Sequence, residues 1–171
     1  GPVLPQEATT NGPPIQVEEV PDLSTEPLPP SYFIPPEWRE SVESPEEKGI
    51  RLEQEGLEAF REGQYDRAIA LWSEWRRLSP DLPRPYMLIG DALSRKGDLK
   101  GAVREYDRSL ELDPGQISLV IRRAEFYSLM GMPEKARDSL NLYARLFPGN
   151  EDIRRAQTRW LAENGRPTEA L

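Results

Sequence analysis

The densest run of groups able to do acid–base work is Glu105, Asp107, Glu111 and Asp113, interleaved with Arg104 and Arg108. At helical spacing, carboxylates so placed read as solvated charges paired with Arg104 and Arg108 rather than as a catalytic dyad. The sequence contains no His and no Cys. That removes the commonest general base at neutral pH, thiol nucleophiles, disulfides and Cys/His zinc sites. Neither a Gly-x-Gly-x-x-Gly nor a phosphate-binding loop is present. The expectation is a protein that is not an enzyme and that takes no cofactor and no metal. What remains for its charged and apolar side chains is to be presented to a partner.

The elements that must present them are bounded first by composition. The 171 residues are 37% hydrophobic and 30% charged, which suits one modest core plus an appendage and leaves no apolar span for a membrane. The net charge of -8 is unevenly placed. Residues 1–48 carry ten acidic groups against Arg39 and Lys48, whereas residues 49–171 carry 20 of each sign. With no basic region, nucleic acid is not an expected partner. Eleven of the 18 prolines fall in the same acidic segment, and proline interrupts both helix and sheet ladders. Residues 1–44 are therefore read as a Pro-rich acidic tail, largely extended or disordered. Gly1-Pro2 reads as a tag-removal scar, with the native N-terminus and any targeting signal upstream of it.

The rest of the chain repeats. In windows 49–82, 83–116 and 117–150, Gly63, Gly97 and Gly131 fall in register, as do Ala68, Ala102 and Ala136, Leu78, Leu112 and Leu146, and Pro80, Pro114 and Pro148. A small residue recurs earlier, as Gly56, Gly90 and Ala124, and a bulky one later, as Trp72, Tyr106 and Leu140. A 34-residue period of this kind predicts two helices per window joined by a tight turn. Glycine serves the turn, where φ is positive. The small residues let paired helices approach, the bulky column fills the space between them, and proline ends the second helix.

These columns, in "GQYDRAIALW...LSP", "GDLKGAVREYDRSLELDP" and "GMPEKARDSLNLYARLFP", resemble the tetratricopeptide repeat family. The resemblance covers 49–150 and extends to a capping helix, 151–163, the first helix of a fourth unit. It implies an all-α solenoid of three repeats within a domain spanning 45–171. Trp75 and Tyr143 stand where the family usually has Ala, and Arg137 where an aliphatic is usual; these departures put local helix spacing in question.

Both ends carry signals. Ile153, Ala156, Trp160 and Leu161 share one face of the last predicted helix, and Asn164-Gly165 stops it. Ser44-Pro45-Glu46-Glu47 reads as a capping box with Pro in the first turn, so the first helix is expected to start at Pro45. Just upstream, Tyr32, Phe33, Ile34 and Trp38 form an aromatic and apolar cluster within 31–38. Three readings stand for it: a cap folded back on the solenoid, a docking motif for a partner, or a sticky linker.

In the family, the first helices of successive units line a concave surface that holds peptides, so the resemblance implies a groove of Glu53, Leu57, Phe60, Arg84, Met87, Asp91, Arg95, Ile121, Arg122 and Glu125. Such a mixed surface suits an amphipathic helix or an apolar peptide with flanking charges. Some members grip the C-terminal carboxylate of heat-shock chaperones with Lys, Asn and Arg. Here Glu53 and Leu57 replace the first Lys and Asn, Leu88 replaces the second Asn, and only Arg122 matches, so chaperone carboxylate-clamp binding is not expected.

The leading functional expectation is a non-catalytic protein-binding scaffold or adaptor, tethered by its tail in the bacterial envelope as an assembly or secretion accessory. That places it in the periplasm or tethered to a membrane, with the cytoplasm as alternative. No membrane insertion is expected of these residues themselves. The alternatives are a structural subunit of a multiprotein complex binding through its convex face or the exposed aromatics Trp75 and Tyr143, and an adaptor autoinhibited by its tail.

Overall fold

The computed structural model describes residues 43–165, and over these it is all helical: α1 (Pro45–Arg61), α2 (Tyr65–Leu78), α3 (Pro83–Arg95), α4 (Leu99–Leu112), α5 (Ile117–Leu129), α6 (Pro133–Leu146) and α7 (Glu151–Glu163). The tail cluster Tyr32, Phe33, Ile34 and Trp38 lies outside the described residues. No helix among those described is long and apolar enough to cross a membrane.

Several boundaries have a local cause. The Ser44 side chain accepts from the Glu47 amide at 3.1 Å while Glu47 accepts from the Ser44 amide at 2.9 Å, and Pro45 opens the first turn of α1. Two otherwise unpaired donors are thereby satisfied. Gly63, Gly97 and Gly131 adopt φ of 76°, 85° and 74° in the turns within each helix pair, a region costly for residues with a Cβ. The second helices end at Leu78, Leu112 and Leu146, two residues before Pro80, Pro114 and Pro148. At the last helix the Asn150 side chain accepts from Asp152 and Ile153.

Consecutive helices pack against one another along the array, and α7 packs on both α5 and α6. Close approach within pairs comes from the small-versus-bulky columns. A Cβ on Gly56 would lie 2.2 Å from Trp72 Nε1, and one on Gly90 would lie 2.5 Å from the Tyr106 ring. Each large ring occupies the volume a side chain on the facing helix would need. In the third pair Ala124 and the smaller Leu140 fill the same register, both buried.

The interior comprises two apolar clusters. One joins Leu52, Trp72, Trp75, Leu88 and Ile89; the other joins Tyr106, Val120, Leu140, Ile153 and Trp160, and Met87 packs against both. The face Ile153, Ala156, Trp160 and Leu161 of α7 is buried.

Two expectations need correction. Trp75 and Tyr143 are not exposed aromatics available to a partner: they are only 6% and 7% accessible. The bulk of Trp75 is accommodated because Gly49 faces it, where a Cβ would lie 2.8 Å from the indole nitrogen; Tyr143 stacks on Phe147 with ring centres 6.0 Å apart. The acidic run on α4 also pairs differently. Glu111 does bind Arg108, at 2.8 Å, but Glu105 binds Arg76 of α2 at 3.1 Å and Asp107 binds Arg123 of α5. These carboxylates link neighbouring helices, because α4 is flanked on both sides and its charges meet partners there.

Candidate partner-binding groove

The ten groove residues expected from the sequence all lie on α1, α3 and α5, and the structure joins those helices through side chains crossing one face. Arg84 of α3 bonds Glu53 of α1. The Arg95 guanidinium lies 6.0 Å from the centre of the Phe60 ring, within cation–π range. Arg122 of α5 bonds Asp91 of α3, and the same carboxylate oxygen accepts from the Tyr106 hydroxyl at 2.6 Å. Burial, reinforced by the Asp91 charge, pushes the Tyr106 phenol well above its ordinary range, so it stays a donor. The row continues to α7, where Arg159 bonds Glu125 at 3.1 Å.

Each rung thus sets an acid on one helix against an arginine on the next. Exposure differs systematically in the first two rungs. The Glu53 and Asp91 side chains are 22% and 24% accessible, while Arg84 and Arg122 are 52% and 43% accessible. The carboxylates lie beneath and the guanidinium groups face outward.

Two clefts open on this face. The first, about 350 Å³, is lined by Phe60, Asp91, Ser94, Arg95 and Arg122. The second, about 410 Å³, lies between α5 and α7, with Ile121, Leu129, Leu140 and Trp160 among its walls and Glu125 and Arg159 at its rim. Leu129 is 72% accessible there. Glu53 and Arg84 pair to one side of these clefts, and Leu57 and Met87 are partly buried in core packing. Among the described residues no three acidic side chains gather to hold a metal ion.

Leu129, Arg159 and Trp160, which also line the second cleft, were not among the positions expected from the sequence. The signal was present in the period: Arg159 and Trp160 fall 34 residues after Glu125 and Phe126, so the last helix carries the same register as the inner helices before it. Reading α7 as a cap concealed its second face.

The tetratricopeptide repeat family model matches residues 83–116, the α3–α4 pair. The α3–α4 pair is a tetratricopeptide repeat, and the fold is that of a tetratricopeptide-repeat solenoid. A "TPR repeat-containing thioredoxin TTL4" from Arabidopsis thaliana is 32% identical over 99 residues, 58% of this chain. The chain spans only 14% of that relative's length. Among solved structures, the "First TPR of Spaghetti (RPAP3) bound to HSP90 peptide SRMEEVD" aligns with a TM-score of 0.59 at 19% identity, covering 69% of this chain and 94% of that one. MamA (residues 41 to the end) from Desulfovibrio magneticus RS-1 aligns with a TM-score of 0.62 at 20% identity, covering 75% and 73%. At such identities the structural likeness is one of fold.

Proposed function

We propose that the chain is a non-catalytic interaction scaffold that holds a peptide or helix of a partner protein on the inner face of α1, α3, α5 and α7. The observation that carries this reading is the continuity of that face: ion pairs tie four helices side by side, and two clefts open between them. The RPAP3 domain of the same fold is described as bound to a peptide, which supports the reading by analogy.

Chaperone tails are not the proposed guests. Glu53 and Leu57 stand at two clamp positions, and Leu88, at a third, is buried at 7% accessibility. Micromolar affinity for a chaperone C-terminal peptide in titration calorimetry would contradict this. The tether, with the solenoid held in the bacterial envelope, rests on the composition of residues 1–44; a lipid-attachment cysteine or apolar span upstream of Val3 in the native gene supports it, and a plain Met start there opposes it.

The groove itself is tested by selecting binders to the full chain from a displayed library of random peptides. Selected peptides are expected to lose affinity for R95E or L129D, both changes at exposed positions, and to keep it for L142D on the accessible side of α6. Peptides sensitive to L142D alone would move the interface to the outer helices and refute the proposal.

A further inference from the structure

The groove is chemically polarised along its length, and the polarity specifies a guest. Around α1, α3 and α5 the outward groups are guanidinium: Arg84 and Arg122 cover their carboxylates, and Arg95 has no carboxylate within ion-pair distance among the described residues. A cleft of about 350 Å³ opens between Arg95 and Arg122, where partial exclusion of water strengthens a charge-assisted hydrogen bond. Between α5 and α7 the cleft instead has an apolar wall of Ile121, Leu129, Leu140 and Trp160, beside the Glu125–Arg159 pair and Glu163. Its volume of about 410 Å³ admits one large apolar side chain.

Resting on the groove reading above, we propose that the guest is an extended segment bearing internal carboxylate side chains about three residues from a bulky apolar anchor. The carboxylates bind Arg95 and the outer edge of Arg122, and the anchor enters the cleft beside Trp160. The spacing follows from geometry. Both clefts take a wall from α5, and an extended chain advancing about 3.3 Å per residue crosses a step of about one helix width, about 10 Å, in about three residues. Charge complementarity selects the acid. A basic segment would meet three outward arginines, whereas Glu53 is held by Arg84 and Asp91, although it lines the cleft, is engaged by both Arg122 and the Tyr106 hydroxyl. Because Arg95 and Arg122 face the open cleft rather than a closed clamp, side-chain carboxylates suffice and a free chain terminus is not required.

The test uses the full chain and fluorescein-labelled, C-terminally amidated peptides in anisotropy titrations. One probe carries two adjacent glutamates three residues before a leucine; in one control lysines replace the glutamates, and in the other serine replaces the leucine. The acidic, anchored probe is expected to bind at least about ten-fold more tightly than either control and to weaken as salt rises. R95E and L129D are each expected to lower its affinity about ten-fold, with unchanged circular dichroism and melting temperature. Equal or tighter binding of the lysine peptide overturns the proposal, as does absence of binding by all three. A ten-fold gain on restoring the free C-terminal carboxylate also overturns it, by assigning recognition to the terminus. In each of these cases library-selected peptides that remain sensitive to R95E or L129D would leave the groove reading standing.

Discussion

Replacing Gly56 with alanine tests whether close approach within a helix pair, rather than helix propensity, governs this fold. On propensity alone the change is favourable, since Gly in a helix interior is about 1 kcal/mol worse than Ala. In the structure, however, the new methyl carbon would lie 2.2, 2.6 and 2.7 Å from three atoms of the Trp72 ring. That ring is fully buried, with its Nε1 donating to the Glu53 carbonyl at 3.4 Å. With no free volume to turn into, α1 and α2 must separate, and overpacking of this kind costs about 1–3 kcal/mol. Three contacts at once place the cost toward the upper end. Subtracting the propensity gain leaves a net destabilisation of about 1–2 kcal/mol. At a urea dependence of about 1–3 kcal/mol per molar, the unfolding midpoint falls by roughly half to one molar. The third pair suggests the rescue, because Ala124 and Leu140 occupy the same register there. W72L alone leaves a cavity and costs about 2–4 kcal/mol, yet G56A combined with W72L is expected to show a favourable coupling of about 1 kcal/mol or more. Urea titrations of the wild type, both single variants and the double variant, followed by circular dichroism, measure all the terms. A neutral or stabilising G56A, or strictly additive effects, would refute the reasoning.

Two further predictions concern polar interactions. Ser109 is fully buried, donates to the Pro83 carbonyl at 2.9 Å and accepts from Gln116 Nε2 at 3.0 Å, so S109A is expected to cost about 1–3 kcal/mol by leaving these groups short of a partner; a loss under about 0.5 kcal/mol in urea melts would contradict that. The hydrogen bond from Lys48 holds the Glu74 carboxyl below its ordinary value of 4.5; a depressed carboxylate contributes stability above its unfolded value and loses it as the pH falls through its folded value. The stability difference between wild type and K48M is therefore expected at pH 7 and should shrink under acid below 4.5, whereas a difference that persists or grows there would show that the ion pair is not its source.

Much of the fold was legible because its determinants are local or periodic. Ser44 and Glu47 announce the first helix through a reciprocal bond three residues apart, and Gly63, Gly97 and Gly131 each meet a backbone demand within their own turn. The Gly56/Trp72 and Gly90/Tyr106 complementarity was readable from two columns in phase, since the repeat fixes which helix faces which. The ten groove positions were placed on the inner helices by the same register, but their chemistry was not. Glu53 and Arg84, or Asp91 and Arg122, are 31 residues apart, and no local rule distinguishes such partners from solvated charges.

What the sequence determined by itself is the element order, the turn and cap chemistry, and the pairing of small with large residues, all consequences of backbone sterics and of a period that carries one unit's geometry to the next. Only the tertiary structure decided that Trp75 and Tyr143 belong to the core, that Glu105 and Asp107 of α4 bridge to α2 and α5, that α7 borders a cleft with α5 as well as covering the end, and that Arg84 and Arg122 are more exposed than the acids they pair with. Those outcomes depend on the rotation of each helix about its axis and its distance from its neighbours. Both are set by packing summed over many residues, and a shift of one helical position would exchange a buried aromatic for an exposed one.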